Sequence, residues 1–342
     1  MNAPVTLPPS MLDHLIAALG ENRVKTDQDS RMTWGKDWTK HFEPNPSVIV
    51  FPSNTDEVQQ IVQLANEFGV VVTPSGGRTG LSAGAVAANG EIVVSLDRMN
   101  KILDFLPADR MVRIQAGVVT EQLQQFAEEQ GLYYPVDFAS AGSSQIGGNI
   151  GTNAGGIKVI KYGMTRQWVL GMTVVTGKGD VLRLNKGMIK NATGYDLRQL
   201  FIGAEGTLGI VSKIKLKIVP DLLKTSLIVI SFEEMEALFL HIPSLLKFNP
   251  ISLELIDDHI LKAGIKNQEF SWFVPDQTKA ILALELEAES SDDLQVKEDE
   301  LYHFLKKSGL NPSILKEAKV QKKLSEIRKA GLGLLLSKRD YS

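Results

Sequence analysis

The sequence contains no cysteine. Disulfide bonds, thiolate zinc sites, cysteine-bound iron–sulfur clusters and a cysteine nucleophile are therefore excluded. No apolar run approaches the about 20 residues that span a bilayer, and the N-terminus lacks the basic and apolar regions of a secretory signal. The 37 Lys and Arg residues nearly balance 40 Asp and Glu residues, so no basic surplus favours nucleic acid. These absences predict a soluble, cytoplasmic protein.

Histidine is also scarce, with five in the chain. They are scattered, and no two have the spacing of a metal-binding pair. Roles at the surface or at the edge of a core are expected for all of them: His14, His41, His241, His259 and His303.

The length of 342 residues predicts about two domains. We expect an N-terminal helical appendage over residues 1–43, a first domain over 44–220 and a second domain over 221–342. The pattern of elements predicts an α+β protein, with an antiparallel sheet in the second domain.

The domain over 44–220 opens with a strand, a helix and a strand. Val48–Phe51 is a buried apolar run, and a helix with cap residues before it ends at Gly69. Val70–Thr73 follows as the next strand, so the segment predicts a βαβ unit with a parallel pair.

Further elements follow from periodicity and turn residues. Met111–Gly117 predicts a strand, and Thr120–Gln130 a helix capped by Thr120 and closed by Gly131. Met172–Thr176 and Val181–Leu184 predict a hairpin. In the second domain, the pattern predicts strands at 226–231, 252–256 and 280–287 and helices at 233–246 and 292–307.

The 29 glycines cluster in two segments, residues 74–84 and 141–156. Glycine beside Ser, Thr and Asn allows backbone amides to surround an anion, because no Cβ intervenes. Two such loops can hold a pyrophosphate between them. Flexible surface loops are the alternative interpretation, but the first cluster follows a buried strand directly, which favours ordered loops.

The standard nucleotide fingerprints are missing. Gly177-x-Gly179 leads into a strand, and Gly331-x-Gly333 lacks a third glycine, so a Rossmann fingerprint is not formed. A P-loop is absent too, because Gly171 lies one residue too far from Gly177-Lys178.

Four ordered motifs carry a resemblance to a known family. They are Pro74-x-Gly76-Gly77-x-Thr79-Gly80, Gly142-Ser143-x-x-Ile146-Gly147-Gly148-Asn149-x-x-Thr152-Asn153-Ala154-Gly155-Gly156, Asn191-x-Thr193-Gly194-Tyr195-Asp196-Leu197 and Gly203-x-Glu205-Gly206-Thr207-Leu208-Gly209-Ile210. Together they resemble the FAD-linked oxidases of the vanillyl-alcohol oxidase and p-cresol methylhydroxylase superfamily. Within it, the D-2-hydroxyacid dehydrogenase branch is the most similar.

The resemblance implies an FAD-binding domain of the p-cresol methylhydroxylase type, built of two α/β subdomains, followed by a cap domain. It implies that the two glycine loops wrap the pyrophosphate and ribityl chain, that Thr152 and Asn153 lie by the isoalloxazine, and that Glu205, Gly206 and Ile210 flank the adenosine. The implied FAD-binding residues are Pro74, Gly76, Gly77, Arg78, Thr79, Gly80, Leu81, Gly142, Ser143, Ile146, Gly147, Gly148, Asn149, Thr152, Asn153, Gly155, Glu205, Gly206 and Ile210.

The attachment of the cofactor can also be predicted. Several members of the family tether FAD through a histidine in the first loop. Here that loop has Arg78-Thr79-Gly80-Leu81 and no histidine. Noncovalent FAD is therefore expected.

The catalytic residues of the family are only partly matched. Its dehydrogenases use a histidine base and a divalent metal held by C-terminal histidines, and neither ligand pattern is present here. Arg328 matches the arginine that pairs with the substrate carboxylate, although a solvated arginine on a helix explains it as well. Arg78 is a second catalytic candidate, and Tyr195 could line the flavin pocket. Family members continue beyond the position matching Ser342, which predicts that this chain ends inside its cap domain.

Three functions remain open at this stage. The first is an FAD-dependent dehydrogenase of a D-2-hydroxy acid, such as lactate, glycolate or 2-hydroxyglutarate, that passes electrons to a quinone, a cytochrome or an electron-transfer flavoprotein. The second is a noncatalytic FAD-binding subunit that depends on a partner. The third is an enzyme similar to UDP-N-acetylmuramate reductase. A homodimer and peripheral contact with the inner membrane are compatible with each, and no nucleic acid partner is expected.

Overall fold

The predicted βαβ unit forms the start of a four-stranded sheet. In this computed structural model, residues 7–39, 41–220, 224–264, 274–275, 277–317, 320, 321, 324 and 326 are described. Their helices are α1 (Pro9–Leu19), α2 (Gln28–Trp34), α3 (Thr55–Phe68), α4 (Thr120–Glu129), α5 (Ile146–Thr152), α6 (Val159–Tyr162), α7 (Arg198–Phe201), α8 (Met235–Leu245), α9 (Asp258–Gly264) and α10 (Ser291–Lys307).

The strands in the same residues lie in three sheets and one two-stranded ladder. They are β1 (Val24–Lys25), β2 (Val48–Val50), β3 (Val72–Ser75), β4 (Ile92–Ser95), β5 (Ile102–Leu106), β6 (Met111–Gln115), β7 (Leu132–Tyr133), β8 (Val169–Thr176), β9 (Val181–Leu184), β10 (Gly209–Lys217), β11 (Val219–Pro220), β12 (Lys224–Phe232), β13 (Ser252–Asp257), β14 (Ala280–Ala288) and β15 (Pro312–Leu315).

The chain divides into two units. The first contains the described residues up to Gly155 together with Met164–Pro220. The second contains Gly156–Gly163 and the described residues after Pro220. The boundaries predicted at residues 43 and 220 stay predictions.

The first sheet of the first unit has the order β1-β2-β4-β3. Its β2, β3 and β4 run parallel, and β1 pairs with β2 in the antiparallel sense. The prediction that β2 and β3 form a direct pair is wrong, because β4 lies between them. A βαβ crossover leaves room for one more strand, and the apolar β4 occupies it with every residue buried.

Helix α3 joins β2 to β3 as predicted. The Asn54 side chain accepts from the Glu57 amide at 3.0 Å, which caps its first turn. The helix ends at Gly69, whose φ of 67° lies in the left-handed region. Its buried face carries Val58, Ile61, Val62 and Ala65, which pack at helical spacing.

The second sheet of the first unit is antiparallel, with the order β5-β6-β10-β8-β9. It contains the predicted β8–β9 hairpin. Helix α4 follows β6, but the prediction that Thr120 caps it is wrong, because the cap residue is Val119. The buried Thr120 hydroxyl instead lies 2.7 Å from the Ser144 hydroxyl.

The second unit is a four-stranded antiparallel sheet with the order β13-β14-β12-β15. Its main apolar cluster lies between the sheet and helices α8 and α10, and it includes Leu238, Leu284 and Leu301. The α+β class and the antiparallel sheet of the second domain are confirmed. No helix in the described part of the chain is long and apolar enough to cross a membrane.

A short segment between α5 and β8 belongs to the second unit. In this segment, Gly156–Gly163, the Tyr162 hydroxyl donates to Glu287 Oε2 at 3.0 Å. Lys161 forms an ion pair with the same carboxylate, and Lys158 Nζ lies 3.8 Å from Glu285 Oε1. Burial raises the pKa of the Tyr162 hydroxyl, so this phenol remains a hydrogen-bond donor at neutral pH.

Candidate functional site

The two glycine clusters meet at the carboxyl end of β3. A Cβ placed on Gly77 would fall within 3.0 Å of the Ser143 carbonyl oxygen. One placed on Gly76 would lie 3.6 Å from Gln145 Oε1 and 3.7 Å from the Gly148 Cα. The two loops therefore pack backbone against backbone, and Gly77 must lack a side chain for them to do so.

The fourth motif joins the same place. A Cβ on Gly206 would overlap the ring of Pro74, and one on Gly84 would lie 2.9 Å from Glu205 Oε2. The Glu205 amide donates to the Gly151 carbonyl at 2.8 Å. Residues from the first, second and fourth motifs thus form one site within the first unit.

Two buried polar atoms at this site have no protein partner among the described residues. They are Ser75 Oγ, in a fully buried residue, and Gln145 Oε1, in a residue that is 6% exposed. Buried polar atoms are nearly always hydrogen-bonded, so such atoms indicate a missing ligand or water. Within the described residues, the amides of 77–81 donate no backbone hydrogen bond either.

A cavity of about 410 Å³ is lined by Pro74 of the first motif and by residues of the fourth motif. This volume lies in the range of small-molecule sites. Gly206 and Ile210, which are expected at the adenosine end, line it together with Pro74 of the first loop. Its other walls come from α3, the segment leading into β3, the β8–β9 hairpin and the fourth motif: Val62, Ala65, Asn66, Gly69, Val70, Val71, Val72, Val175, Thr176, Gly177, Thr207 and Gly209.

The segment after α2 packs against the first glycine loop. The Trp38 amide donates to the Gly80 carbonyl at 3.0 Å. The buried Asp37 carboxylate accepts from the Thr39 amide at 2.8 Å through Oδ1, while its Oδ2 faces Gly80 without a partner in the described residues. The sequence interpretation missed Asp37, because no local pattern links it to a loop more than 40 residues away.

The second loop is fixed from inside by hydroxyl and amide groups. Asn149 Nδ2 donates to Thr120 Oγ1 at 2.7 Å, and both residues are buried. Ile146 is fully buried, and the Gly147 amide donates to the Ala116 carbonyl at 2.7 Å. The Asn149 side chain therefore anchors the loop, and its assignment to the cofactor stays a prediction.

The end of α5 carries the residues expected by the isoalloxazine. Asn153 has a φ of 49° in the left-handed region, and its Oδ1 accepts from the Arg166 amide at 3.0 Å. The Thr152 hydroxyl donates to the Gly148 carbonyl at 3.1 Å. Thr152 and Gly155 are exposed, so both are open to a ligand.

The remaining first-loop residues differ in their surroundings. Arg78 lies 3.2 Å from Asp97 in an ion pair, whereas Thr79 is half-buried and Leu81 is exposed. Ser143 and Gly142 are exposed, and a Cβ on Gly142 would lie 3.2 Å from Glu121 Oε2. None of these arrangements tests the cofactor assignments, which stay predictions.

The third motif lies on the surface. Tyr195 is 94% exposed, so no described residue packs it into a pocket. Arg198 Nε lies 2.7 Å from Asp196 Oδ1, and this hydrogen bond lowers the pKa of Asp196 to about 2. Arg198 also donates to the carbonyls of Val169 and Leu170, both at 2.7 Å. Arg198, the residue directly after the motif, therefore anchors this loop to Val169 and Leu170.

The predicted carboxylate ligand Arg328 lies outside the described residues. In the part of the chain that is described, no group of three or more His, Asp or Glu residues could hold a metal ion. These residues do not fit a divalent metal site.

The same site does fit FAD. Backbone amides near 77–81, unpartnered atoms of Ser75 and Gln145, and the adjoining cavity supply donors, acceptors and space for a nucleotide. A diphosphate next to backbone amides needs no lysine or arginine ligand.

Ser75, Asp97 and Gln145 were missed by the sequence interpretation. Asp97 follows β4 by two residues, and Ser75 ends β3, next to β4. Ligand sites in open sheets lie at the carboxyl ends of parallel strands, so this rule could have found both. Gln145 precedes α5 and carries no comparable signal.

Two family profiles match the chain. The profile described as "FAD binding domain" covers residues 46–185, and "FAD linked oxidases, C-terminal domain" covers residues 224–340. A solved structure of p-cresol methylhydroxylase with substrate bound covers 90% of this chain and 66% of its own, with a TM-score of 0.74 and 19% identity. That likeness supports the fold.

Curated relatives agree with these profiles. A D-2-hydroxyglutarate dehydrogenase from Stutzerimonas stutzeri (strain A1501) is 70% identical over 203 residues, which is 59% of this chain and 44% of that protein. The glycolate oxidase subunit GlcD from Bacillus subtilis (strain 168) is 32% identical over 80% of this chain and 58% of its own length. The chain thus spans about half the length of these relatives. With an FAD-binding domain and the C-terminal domain of the same family both present, the chain belongs to the FAD-linked oxidases.

Proposed function

We propose that this chain is an FAD-dependent oxidoreductase that converts a D-2-hydroxy acid to the 2-oxo acid. The observation that carries the proposal is the convergence of three glycine motifs at the end of β3, where buried atoms of Ser75 and Gln145 have no partner in the described residues, together with a ligand-sized cavity lined by the first and fourth motifs. Among small 2-hydroxy acids we place D-2-hydroxyglutarate first, because the relative of that name is 70% identical over the matched residues.

Bound FAD would supply the hydride acceptor for this oxidation, at N5 of its ring system. The chain's own part is to hold the nucleotide. The amides of 77–81 face the diphosphate as donors, Ser75 and Gln145 offer buried hydrogen-bonding atoms, and Pro74, Gly206 and Ile210 line space for the adenosine. The absence of histidine from the first loop supports noncovalent attachment.

For the substrate, we propose one binding residue. We retain Arg328 as the proposed partner of the substrate carboxylate, since guanidinium and carboxylate form a bidentate pair. We assign no step to a metal ion, because the described residues contain no group suited to one. The electrons pass to a separate acceptor, for which a quinone, a cytochrome and an electron-transfer flavoprotein are the proposals.

The test is an absorbance spectrum of the purified chain, repeated without oxygen after adding D-2-hydroxyglutarate, D-lactate or glycolate. We expect flavin bands that bleach with at least one acid, and L-2-hydroxyglutarate is the control for stereochemistry. A chain that binds no FAD when reconstituted would contradict the proposal. Yellow flavin left on acid-precipitated protein would contradict noncovalent attachment.

A second candidate is an FAD-binding subunit that needs a partner for turnover. The observation that favours it is the lack of a metal-binding group in the described residues. Flavin bands that persist with every acid, but bleach when dithionite is added, would support this function over the first.

A further inference from the structure

One carboxylate joins three separate segments beside the glycine loops. Trp34 Nε1 donates to Asp97 Oδ2 at 2.7 Å, and Gln145 Nε2 donates to Asp97 Oδ1 at 2.7 Å. Arg78 Nη1 lies 3.3 Å from Oδ1 and 3.2 Å from Oδ2 of the same carboxylate. Both oxygens of Asp97 are therefore used, and each donor comes from a different part of the chain.

The sheet brings these groups together. Ser75 and Ser95 are register partners at the ends of the parallel strands β3 and β4. Arg78 follows β3, and Asp97 follows β4 in a short 3-10 turn, Leu96–Arg98. Because parallel strands end at the same edge, the two side chains reach each other although they lie on different loops.

The other two donors come from the far sides of the site. Trp34 is the last residue of α2, which precedes the sheet, and Gln145 lies immediately before α5. The Arg78 guanidinium also lies 5.8 Å from the centroid of the Trp34 ring, within cation–π distance. Asp97 thus ties the α2 end and both glycine loops to the end of β4.

Arg78 is held in an unfavourable backbone conformation. Its φ of 58° lies in the left-handed region, which is strained for a residue other than glycine. Its side chain donates to the Gly76 carbonyl at 3.1 Å as well as to Asp97. These contacts offset the strain and fix the loop that carries the amides of 77–81.

Gln145 connects the network to the unpartnered atoms. Its Nε2 is bound to Asp97, so its Oε1 is oriented away from that carboxylate, and this buried Oε1 has no partner among the described residues. The oxygen lies near Gly76, where the two loops meet. Asp97 therefore determines where Gln145 presents its acceptor.

We propose that Asp97 is a positioning residue for the flavin nucleotide, acting through Arg78 and Gln145. Asp97 sets the spacing of the two glycine loops. The Arg78 side chain binds Asp97 and does not bind the substrate. The inference rests on the proposed FAD site, and it does not depend on which acid is oxidised.

The test is the dissociation constant of FAD, measured on the full apoprotein by flavin fluorescence. Asp97→Asn keeps the size and shape of the side chain but replaces one acceptor oxygen by an NH₂ group. This group cannot accept the hydrogen bonds that the neighbouring donors make to Asp97. We expect the Kd to rise about tenfold to a hundredfold. Asp104→Asn is the matched control, because Asp104 forms an ion pair with Arg113 at 3.4 Å in which both side chains are 46% exposed. Its Kd should equal that of the wild type.

Two readouts separate positioning from a general loss of stability. The visible circular dichroism of saturating FAD, which reports how the flavin is held, should change in Asp97→Asn and not in Asp104→Asn. Gln145→Leu removes both the amide donor to Asp97 and the Oε1 acceptor, and it should raise the Kd on its own. Combined with Asp97→Asn, the rise should be smaller than the product of the two separate rises, because the two substitutions break the same Asp97–Gln145 contact.

Arg78→Lys distinguishes the two roles of that arginine. Under our proposal the FAD Kd rises and the KM for the 2-hydroxy acid stays within twofold of wild type. A higher KM with an unchanged FAD Kd would make Arg78 a substrate ligand and overturn the proposal. An Asp97→Asn chain whose FAD Kd and visible dichroism equal those of the wild type would also overturn the proposal. If the flavin of the wild-type chain does not bleach with any acid, the proposed oxidation is contradicted, but the FAD Kd and the dichroism still test the role of Asp97.

Discussion

The two units of this chain handle polar groups differently. In the first unit, the described non-glycine residues with left-handed backbone are Arg78, Ala83, Arg110, Asn153, Asn185 and Glu205, and four of these lie in the two glycine segments or the fourth motif. In the second unit, the one such residue described is Asn249. Buried side-chain atoms without a partner in the described residues divide in a similar way: Thr278 Oγ1 lies in the second unit, and those of Arg31, Asp37, Ser75, Tyr134, Gln145 and Asn185 lie in the first. Both features are more frequent in the unit where a ligand is expected, in keeping with the usual relation between strain and function.

The largest expected change in stability comes from a substitution in the second unit. Leu284→Ala removes a fully buried side chain from the main cluster of the second sheet, so the free energy of unfolding should fall by about 2–5 kcal/mol. Urea unfolding measures it. Leu240→Ala, at a position that is 79% exposed, is the control and should change little. If the comparison between units holds, the FAD Kd of folded Leu284→Ala remains that of the wild type.

A smaller stability change with a large binding change is expected at Gly77. Gly77→Ala forces a Cβ against the Ser143 carbonyl, so the loops must separate. Such overpacking costs about 1–3 kcal/mol, and the FAD Kd should rise about tenfold or more. Fluorescence titration and thermal unfolding of the apoprotein measure the two quantities. Wild-type affinity in this variant would mean that the loop spacing does not matter for the nucleotide.

Gly148→Ala sharpens the comparison further. A Cβ at this position meets no atom within 4 Å, and the residue lies inside α5, where alanine favours the helix by about 0.5–1 kcal/mol. The apoprotein should therefore be as stable as the wild type or more so. We expect the FAD Kd to rise several-fold, because the ligand occupies the open space. Unchanged affinity would place the nucleotide elsewhere.

The smallest effect concerns acid stability. The hydrogen bond from Arg198 holds the folded pKa of Asp196 at about 2, below the ordinary 3.8. A lowered folded pKa stabilises the protein above the unfolded value, and this contribution is lost as pH falls from about 4 to about 2. Since the Asp196 side chain is 40% exposed, the contribution is about 1 kcal/mol or less.

Asp196→Asn measures that contribution. Its deficit in unfolding free energy should be present at neutral pH and vanish near pH 2. Asp104→Asn is again a surface control with an ion pair. A deficit that grows as the pH falls would contradict the assigned direction of the pKa shift.

Local signals predicted much of the fold. Asn54 and Gly69 mark both ends of α3, and the alternation of apolar residues located β12, β13 and β14 within two residues of their ends. Caps, periodicity and turns depend on neighbours in sequence. The position of β4 between β2 and β3 depends on a distant pairing, and no local pattern encodes it.

The site divides in the same way. Gly76, Gly77 and Gly206 were predicted from the glycine motifs and their resemblance to a family, and the structure adds a steric reason for glycine at Gly77 and Gly206. The Asp97 network was not, because Trp34 and Gln145 lie 63 and 48 residues from it, and their contact follows from sheet order. Sequence patterns identify loops that must be glycine-rich, whereas the side chains that tie such loops together are brought into contact by the topology.

The segment Gly156–Gly163 has a consequence for recombination between related genes. It is encoded within the first unit, yet Lys161 and Tyr162 bind Glu287 of the second. A single crossover near Pro220 would join the segment of one parent to the sheet of the other. Chimeras that take both stretches from the same parent should fold to a more stable second unit. Lys161, Tyr162 and Glu287 should therefore be exchanged together, although they lie far apart in the gene.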